Sequence, residues 1–159
     1  REGQCLCYSS ENVRAMGRQA TGVHGIKLNE GDEVVSVQPQ IEGKEILLVT
    51  ARSYAKRIAC SEFKTFKTKH GKGMRAVKAA KLKETGDIVA VVMVQDVEGD
   101  LLLITDGGQV IRTPIKKIPV LSRPARGTRT MKLEDQAVIA DSTTIISTAM
   151  EDSGEDEEE

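Results

Sequence analysis

Positively charged side chains are the residues of this sequence whose spacing best suits a chemical task, because they are grouped and the groups recur. Three windows hold basic residues but no Asp or Glu, and they are bounded by the acids at 11 and 30, at 62 and 84, and at 106 and 134. A repeated fold would bring windows of the same phase onto one surface, so the pattern predicts a track for a polyanion. In chain order the windows contain Arg14, Arg18, His24 and Lys27; Lys64, Lys67, Lys69, Lys72, Arg75, Lys78, Lys81 and Lys83; and Arg112, Lys116, Lys117, Arg123, Arg126, Arg129 and Lys132.

Duplex DNA held by its phosphates is the polyanion that suits this pattern. Lys and Arg neutralise phosphates and release counterions, which gives affinity without reading the base sequence. Gly71, Gly73 and Gly127 would let backbone amides approach an anion closely. Single strands are usually held by stacking aromatics, and only 3% of this chain is aromatic. An acidic protein partner, bound by a β-repeat scaffold, remains the alternative on composition alone.

The predicted DNA contacts are most of the window residues and one further arginine, Arg57, which comes after the apolar segment 46–50 in the sequence. Which of these side chains face the DNA is inferred from their phase in the repeat. The predicted DNA-binding residues are Arg14, Arg18, Lys27, Arg57, Lys64, Lys67, Lys69, Lys72, Arg75, Lys78, Arg112, Lys116, Arg123, Arg126, Arg129 and Lys132.

Catalytic and cofactor chemistry finds no support in the residues. Residues 71–73 (GKG) lack the rest of the Walker phosphate loop. His24 and His70 have no partner carboxylate or nucleophile in a recognisable arrangement, and we expect both to lie on the basic surface. Neighbouring acids such as Asp32 and Glu33 fall in a predicted turn. We therefore predict a non-catalytic segment with no cofactor of its own.

Three cysteines are too few for a disulfide framework or a zinc site, which needs about four ligands. They are Cys5, Cys7 and Cys60, and we predict buried, reduced thiols. No stretch approaches the ~20 apolar residues of a spanning helix, and no basic-then-apolar signal segment opens the chain. The sequence therefore predicts a piece of a longer cytoplasmic protein without a membrane partner.

Charge is distributed unevenly along the 159 residues, although the formal net charge is only −1. Residues 151–159 hold 7 of the 24 acidic residues and no basic one, so the rest of the chain carries an excess of six positive charges. We expect residues 149–159 to form a disordered acidic tail. A tail of this charge could compete with DNA for the basic surface.

Internal repetition is the feature that must position these charges. The apolar segment 46–50 (ILLVT) recurs 55 residues later at 101–105 (LLLIT). A second landmark, 22–27 (GVHGIK), recurs at 73–78 (GMRAVK) and at 127–132 (GTRTMK). Matches in the same order at several landmarks predict repeats of about 50 residues with about four short strands each, which is typical of propeller-like blades.

Each repeat is predicted to be all-β. The opening strands are Glu45–Thr50 and 101–105, and Asp106-Gly107 indicates a type I′ hairpin turn after the second of them. Final strands are predicted at 32–38, 87–95 and 137–146, no amphipathic helix is expected, and Phe63 is expected in the core because it aligns with Val13 and Ile118. The predicted units are a partial blade at 1–43, which lacks its opening strand, and blades at 44–97 and 98–148.

The repeats resemble the C-terminal domain of the bacterial DNA gyrase A subunit over about residues 1–146. The residues that carry the resemblance are 13–28 (VRAMGRQATGVHGIKL), 31–35 (GDEVV), 103–114 (LITDGGQVIRTP) and 126–129 (RGTR). The resemblance implies a β-pinwheel of six blades, of which this chain would hold about three, that wraps duplex DNA around a basic perimeter. The related topoisomerase IV A subunit has fewer and more divergent blades, and 16–18 (MGR) favours gyrase.

The resemblance also implies what lies outside this segment. The whole gyrase, with two A and two B subunits, uses ATP and Mg to pass one duplex through another and introduce negative supercoils in the bacterial cytoplasm, associated with the chromosome. Its catalytic tyrosine belongs to a region absent here, and neither Tyr8 nor Tyr54 has that context. The family's QRRGGRG box is also missing, and 69–73 (KHGKG) is only a partial echo of it. The expected partners are double-stranded DNA and the rest of the gyrase A subunit, together with the gyrase B subunit.

Overall fold

The computed structural model describes residues 1–94, 96–133 and 137–145, and within them the chain is mostly β. One short helix, α1 (Ala79–Thr85), interrupts the strands. The strands are β1 (Gln4–Cys5), β2 (Cys7–Tyr8), β3 (Glu45–Thr50), β4 (Tyr54–Ala59), β5 (Thr65–Phe66), β6 (Met74–Arg75), β7 (Ile88–Val94), β8 (Asp100–Thr105), β9 (Val110–Pro114), β10 (Thr128–Arg129) and β11 (Ile139–Ile145).

Two antiparallel sheets form the body, and each is built around an opening strand. The first has the order β10-β4-β3-β7 and the second β11-β8-β9. Successive side chains of a strand point to opposite faces, and β3 uses this to join two cores. Leu47 and Val49 pack with the residues of the second sheet, whereas Leu48 packs with Phe63 and Val77 on the other face. Burying each such side chain contributes about 1.5–3 kcal/mol, so apolar contact on both faces holds the sheets in a stack.

The helix α1 is a correction, because no helix was expected. Its sequence, AAKLKET, is rich in good helix formers. It ends at Gly86, whose φ of 77° lies in the left-handed region that favours glycine, and the Gly86 N–H donates to the carbonyl of Leu82 at 2.8 Å. Two turns are too short to show a helical hydrophobic period, and this is why the helix could not be recognised from the pattern.

The final strands were predicted correctly in two repeats and wrongly in one. Those at 87–95 and 137–146 are found as β7 and β11, although Gln95 and residue 146 lie outside the described residues. Residues 32–38 form no strand. In the other repeats the final strand pairs with the opening strand, β7 with β3 and β11 with β8. Among the described residues, 32–38 have no such opening strand to pair with.

The hairpin between β8 and β9 is present, but its turn is not of type I′. That turn type needs positive φ at Asp106 and Gly107, whereas positive φ occurs at Gly108 (79°), whose N–H donates to the carbonyl of Thr105 at 2.9 Å. The turn is therefore a longer loop closed by a left-handed residue. In the β3–β4 turn the equivalent residue is Ser53 (φ 62°), and its hydroxyl lies 2.7 Å from that of Thr130.

Successive repeats are joined by the same backbone contacts at two places. β6 pairs with β1, and β10 pairs with β4, so each repeat lends a short strand to the one before it. In the first case a Cβ on Gly73 (φ 67°) would overlap the carbonyl oxygen of Cys5. In the second, a Cβ on Gly127 (φ 92°) would lie 2.8 Å from the carbonyl oxygen of Ala55. Only glycine permits this approach at both junctions.

A short 3₁₀ turn recurs in each repeat and confirms the sequence alignment. The turns are Ser10–Asn12, Cys60–Glu62 and Ile115–Lys117. Each ends in a backbone hydrogen bond from the next residue, which is Val13, Phe63 or Ile118 respectively. Phe63 and Ile118 are buried, as expected, whereas Val13 is 39% exposed.

The cysteines are all free, but only Cys60 is fully buried. Cys5 and Cys7 are half-buried, which corrects the expectation of burial for these two. Cys7 Sγ donates to Gln40 Oε1 at 2.6 Å. Burial, followed by the neighbouring Cys7 thiol, raises the pKa of Cys5 to about 11. Since the thiolate is the reactive form, Cys5 is chemically quiet at neutral pH.

Candidate nucleic-acid interface

Most of the predicted DNA-binding side chains are accessible. Arg57, Lys69 and Arg123 are half-buried, and the other thirteen are exposed. The exposed residues are Arg14, Arg18, Lys27, Lys64, Lys67, Lys72, Arg75, Lys78, Arg112, Lys116, Arg126, Arg129 and Lys132.

Two arginines from neighbouring repeats meet at the second junction. Arg123 Nη1 donates to the backbone carbonyl of Arg75 at 3.0 Å, and Arg75 Nη1 donates to the carbonyl of Glu2 at 3.1 Å. Arg123 also lies near Glu62, with Nε 3.8 Å from the carboxylate. These contacts connect cations from the second and third windows across the repeat boundary, as a continuous basic surface requires.

A second basic cluster surrounds Tyr54. The guanidinium carbons of Arg126 and Arg129 lie 5.2 Å and 5.3 Å from the centre of its ring, within the range of a cation–π interaction. Arg129 Nη2 also donates to the Tyr54 hydroxyl at 3.1 Å. Glu84 accepts from Arg126 at 3.0 Å, and hydrogen bonds from Arg126 and then Lys81 lower the pKa of Glu84. The Tyr54 ring thus orients two arginines, of which one carries a carboxylate partner.

The first junction carries a similar basic group. Lys69 Nζ donates to the carbonyl of Asn12 at 2.6 Å, and Lys72 Nζ donates to the side-chain oxygen of Asn29 at 3.1 Å. Both partners are neutral, so each lysine keeps its positive charge in reach of solvent or ligand. The second window is therefore tied to the first repeat without neutralising its charge.

The two histidines lie beside this group, as expected from their phase. The His24 and His70 rings are 6.2 Å apart, and both residues are exposed. The backbone N–H of His70 donates to the carbonyl of Gly25, and that of Lys27 donates to the carbonyl of Gly71. These bonds align residues of the first and second windows along one edge.

Five predicted contacts are paired with acids, and they differ in burial. Arg112 binds Asp100 at 2.5 Å and Lys116 binds Glu98 at 2.7 Å, with both cations well exposed. The hydrogen bond to Glu98 raises the pKa of Lys116. Arg126 pairs with Glu84 and Arg123 with Glu62 as described, and the fifth is Arg57.

Arg57 is held inside the fold. Its Nη1 lies 2.7 Å from Glu45 Oε2 and its Nε donates to the carbonyl of Ile118 at 2.7 Å. The two charged side chains are only 12% and 24% exposed. Arg112 and Asp100 are the same pair 55 residues later, but the Arg112 side chain is 63% exposed. The geometry gives Arg57 a structural task, and we leave it out of the proposed interface.

Replacing Arg57 by methionine is expected to lower the free energy of unfolding by about 1.5–3 kcal/mol, because a charge-assisted bond is lost and Glu45 stays half-buried. Arg112→Met is the matched control and should cost less than about 1 kcal/mol, as exposed pairs do. Urea unfolding measures both. A stable Arg57→Met variant with weakened DNA binding would instead place Arg57 in the interface.

Sequence reasoning missed three residues at the junctions. Tyr54 was considered only as a stacking or catalytic residue, Glu84 only as a window boundary, and Lys56 was given no functional role. Lys56 carries the one signal that could have found it: it is charged at a repeat position where the other repeats have Leu6 and Ile111. The contacts of Tyr54 and Glu84 join distant segments and leave no local pattern.

Among residues 1–94, 96–133 and 137–145, no group of three His, Cys, Asp or Glu side chains is arranged to hold a metal ion. The same part of the chain has no helix that is long and apolar enough to cross a membrane.

The stacked repeats and their recurring exposed cations define a repeat protein of the propeller-like class. The DNA gyrase C-terminal domain family, a beta-propeller family, matches residues 8–40, 44–95 and 99–141. The chain belongs to this family.

Known proteins agree with this assignment. The DNA gyrase A subunit of Escherichia coli (strain K12) is 36% identical over 140 residues, which cover 87% of this chain and 15% of that protein. A solved structure of the DNA gyrase A C-terminal domain superposes with a TM-score of 0.79 at 26% identity, and covers 91% of this chain and 48% of that one. The C-terminal domain of DNA topoisomerase IV shares the fold, with a TM-score of 0.77 at 22% identity over 91% of this chain and 44% of that one.

Proposed function

We propose that this chain binds and bends duplex DNA by its backbone, as a wrapping module of a gyrase A subunit. The observation that carries the proposal is the connection of basic residues across both repeat junctions, through Lys69 and Lys72 at the first and Arg75 and Arg123 at the second. Its relatives among the gyrase A subunits support the same assignment.

Bending the duplex requires many weak contacts along the surface. Curving 20–30 base pairs by 40–90° costs on the order of 1–6 kcal/mol. Cations distributed over three repeats can offset this cost because each neutralised phosphate adds counterion release. A single compact basic patch would hold a straight segment and would not favour the bend.

In the whole protein the module would support ATP-dependent negative supercoiling by an enzyme with two A and two B subunits, in the bacterial cytoplasm and on the chromosome. The chain spans 15% of the length of the E. coli protein it matches. On this proposal the segment is itself non-catalytic, and its partners are double-stranded DNA, the rest of the gyrase A subunit, and the gyrase B subunit. We also propose the division into a partial blade at 1–43 and blades at 44–97 and 98–148; the acidic tail at 149–159 lies outside the described residues.

The proposal is tested by the affinity of the chain for a 40-base-pair duplex across a salt series. We expect log K to fall linearly with log salt with a slope of about −0.9 for each neutralised phosphate. Duplex should be preferred over a single strand of the same length, with little dependence on base sequence. A fluorescence-transfer pair at the duplex ends should report their approach if the DNA is bent.

Three results would contradict the proposal in whole or in part. A folded chain that does not bind duplex at low salt would favour a scaffold for acidic proteins, which an acidic polypeptide such as polyglutamate would reveal as the better ligand. Equal or tighter binding of the single strand would contradict the proposed preference for duplex DNA. Duplex binding without approach of the labelled ends would support DNA binding but contradict the proposed bending.

A further inference from the structure

The ammonium group of Lys56 is enclosed by backbone carbonyls. Lys56 lies in β4 with 0% of its surface exposed. Its Nζ donates to the carbonyl of Ala76 at 2.9 Å on one side. On the other side it donates to three carbonyls of the loop 122–126, those of Ser122 (3.2 Å), Arg123 (2.5 Å) and Ala125 (2.9 Å). We call residues 122–126 the arginine loop, since it carries Arg123 and Arg126.

The fold itself does not require a lysine at this position. The equivalent residues in the other two repeats are Leu6, which lies against Gly71 and Gly73, and Ile111. An apolar side chain thus suffices at the junction between the first and second repeats. A buried cation is costly to desolvate, so its presence at the second junction points to a task particular to that junction.

Carbonyl oxygens are the negative poles of the backbone. By drawing three of them inward, Lys56 removes them from the face on which a phosphate would approach. Of the two arginine side chains of this loop, Arg126 is 48% exposed and Arg123, which is half-buried, is 30% exposed. The cage therefore keeps the carbonyl oxygens of the loop, which would repel a phosphate, apart from its arginine side chains, which would attract one.

We propose that Lys56 is a positioning residue for DNA binding, which holds the arginine loop so that Arg123 and Arg126 face the phosphates. This inference rests on the proposed function, because it names the group that sets the geometry of part of the same interface. Lys56 does not touch DNA; it acts through the two arginines.

Burial is the main influence on the protonation of Lys56. It lowers the pKa of Lys56 from 10.5 to about 8; the nearby charge of Glu62 opposes this shift and that of Arg123 adds to it. A protonated amine has three N–H donors and a neutral amine two. Raising the pH through 8 thus removes a donor and the charge from a cage of four carbonyls, and the arginine loop should loosen.

The test is a cycle of variants in DNA affinity at constant salt. Lys56→Met keeps the length of the side chain and removes the charge, and we expect it to weaken duplex binding about 10-fold at pH 7 and to make the salt slope shallower by about 1–2, the loss of one or two phosphate contacts. In the background of Arg123→Ala with Arg126→Ala, Lys56→Met should have no further effect, because coupled residues are not additive.

A pH profile separates positioning from mere stability. Affinity of the unmodified chain should fall between pH 7 and pH 9.5, whereas Lys56→Met and Lys56→Arg, which do not titrate there, should show a flatter profile. The sign for stability is the opposite. A lysine whose pKa is lower in the folded state makes the free energy of unfolding rise with pH, between about 8 and 10.5. A role in stability alone would therefore not weaken binding as the pH rises.

The outcomes are distinct. If the unmodified chain fails to bind duplex, the proposed function itself is wrong. If the unmodified chain binds duplex but the Lys56→Met variant binds it equally well, the positioning role is wrong. The role is also wrong if Lys56→Met weakens binding by the same factor in the unmodified chain and in the Arg123→Ala, Arg126→Ala background. Should Lys56→Met not fold, the pH profile of the unmodified chain against that of Lys56→Arg still decides, since equal profiles would overturn the inference.

Discussion

Replacing Gly73 by alanine should lower the free energy of unfolding by about 2–5 kcal/mol. A left-handed backbone costs a non-glycine residue roughly 1–2 kcal/mol, and forced overpacking adds about 1–3 kcal/mol. Both apply at Gly73, where φ is 67° and a Cβ would overlap the Cys5 carbonyl, with its carbon at 2.8 Å. Urea unfolding monitored by circular dichroism measures the loss.

The chain offers its own control series. Gly22 has the same place in the first repeat and φ of 89°, but no atom lies within 4 Å of its Cβ position, so Gly22→Ala should cost only the backbone term. Gly17 has neither constraint, and Gly17→Ala should be close to neutral. Gly127→Ala, which meets the Ala55 carbonyl at 2.8 Å, should resemble Gly73→Ala. Equal costs at Gly22 and Gly73 would contradict the close junction.

Removing the cations at the matched positions 75, 78, 129 and 132 should weaken duplex binding by about 100-fold or more at 0.1 M salt and reduce the slope of log K on log salt by about 3.6. Arg75 and Lys78 occupy in the second repeat the places of Arg129 and Lys132 in the third, and all four are exposed. Fluorescence anisotropy with a labelled duplex measures the change in a quadruple alanine variant.

Two controls separate this effect from loss of fold or of net charge. Exchanging Arg and Lys at the four positions preserves the charge and should retain most of the affinity, because phosphate neutralisation needs only a cation. Lys83→Ala with Lys117→Ala removes two exposed cations outside the predicted interface and should change the affinity much less per charge. A double control with as steep a loss per charge would indicate attraction by net charge and no defined surface.

The fold was largely predictable because the repeats of this sequence can be aligned with one another. The apolar strands at 45–50 and 101–105, and the core position of Phe63, follow from a period that a single sequence displays. The helix α1 and the strandless segment 32–38 were not predictable in this way. The helix is too short for a period, and residues 32–38 have the local pattern of a strand but lack the partner that would pair with it.

The exposure of most predicted cations could be inferred from the sequence, but their contacts could not. Acid-free windows correctly located exposed cations such as Lys72 and Arg129. They could not show that Arg57 forms a half-buried ion pair with Glu45, because that pair forms across neighbouring strands. Nor could they reveal the cage around Lys56, whose partners are backbone carbonyls and thus independent of residue type.

The pairing of β10 with β4 also bears on the synthesis of the chain. The outer edge of β4 is completed by Thr128–Arg129, about 70 residues beyond its own end. At the 5–20 residues per second of translation, that edge would wait roughly 4–14 s for its partner. The sheet of β4 therefore matures one repeat behind the ribosome, and a chain arrested before residue 128 would leave part of the β4 edge open to pairing with other nascent chains.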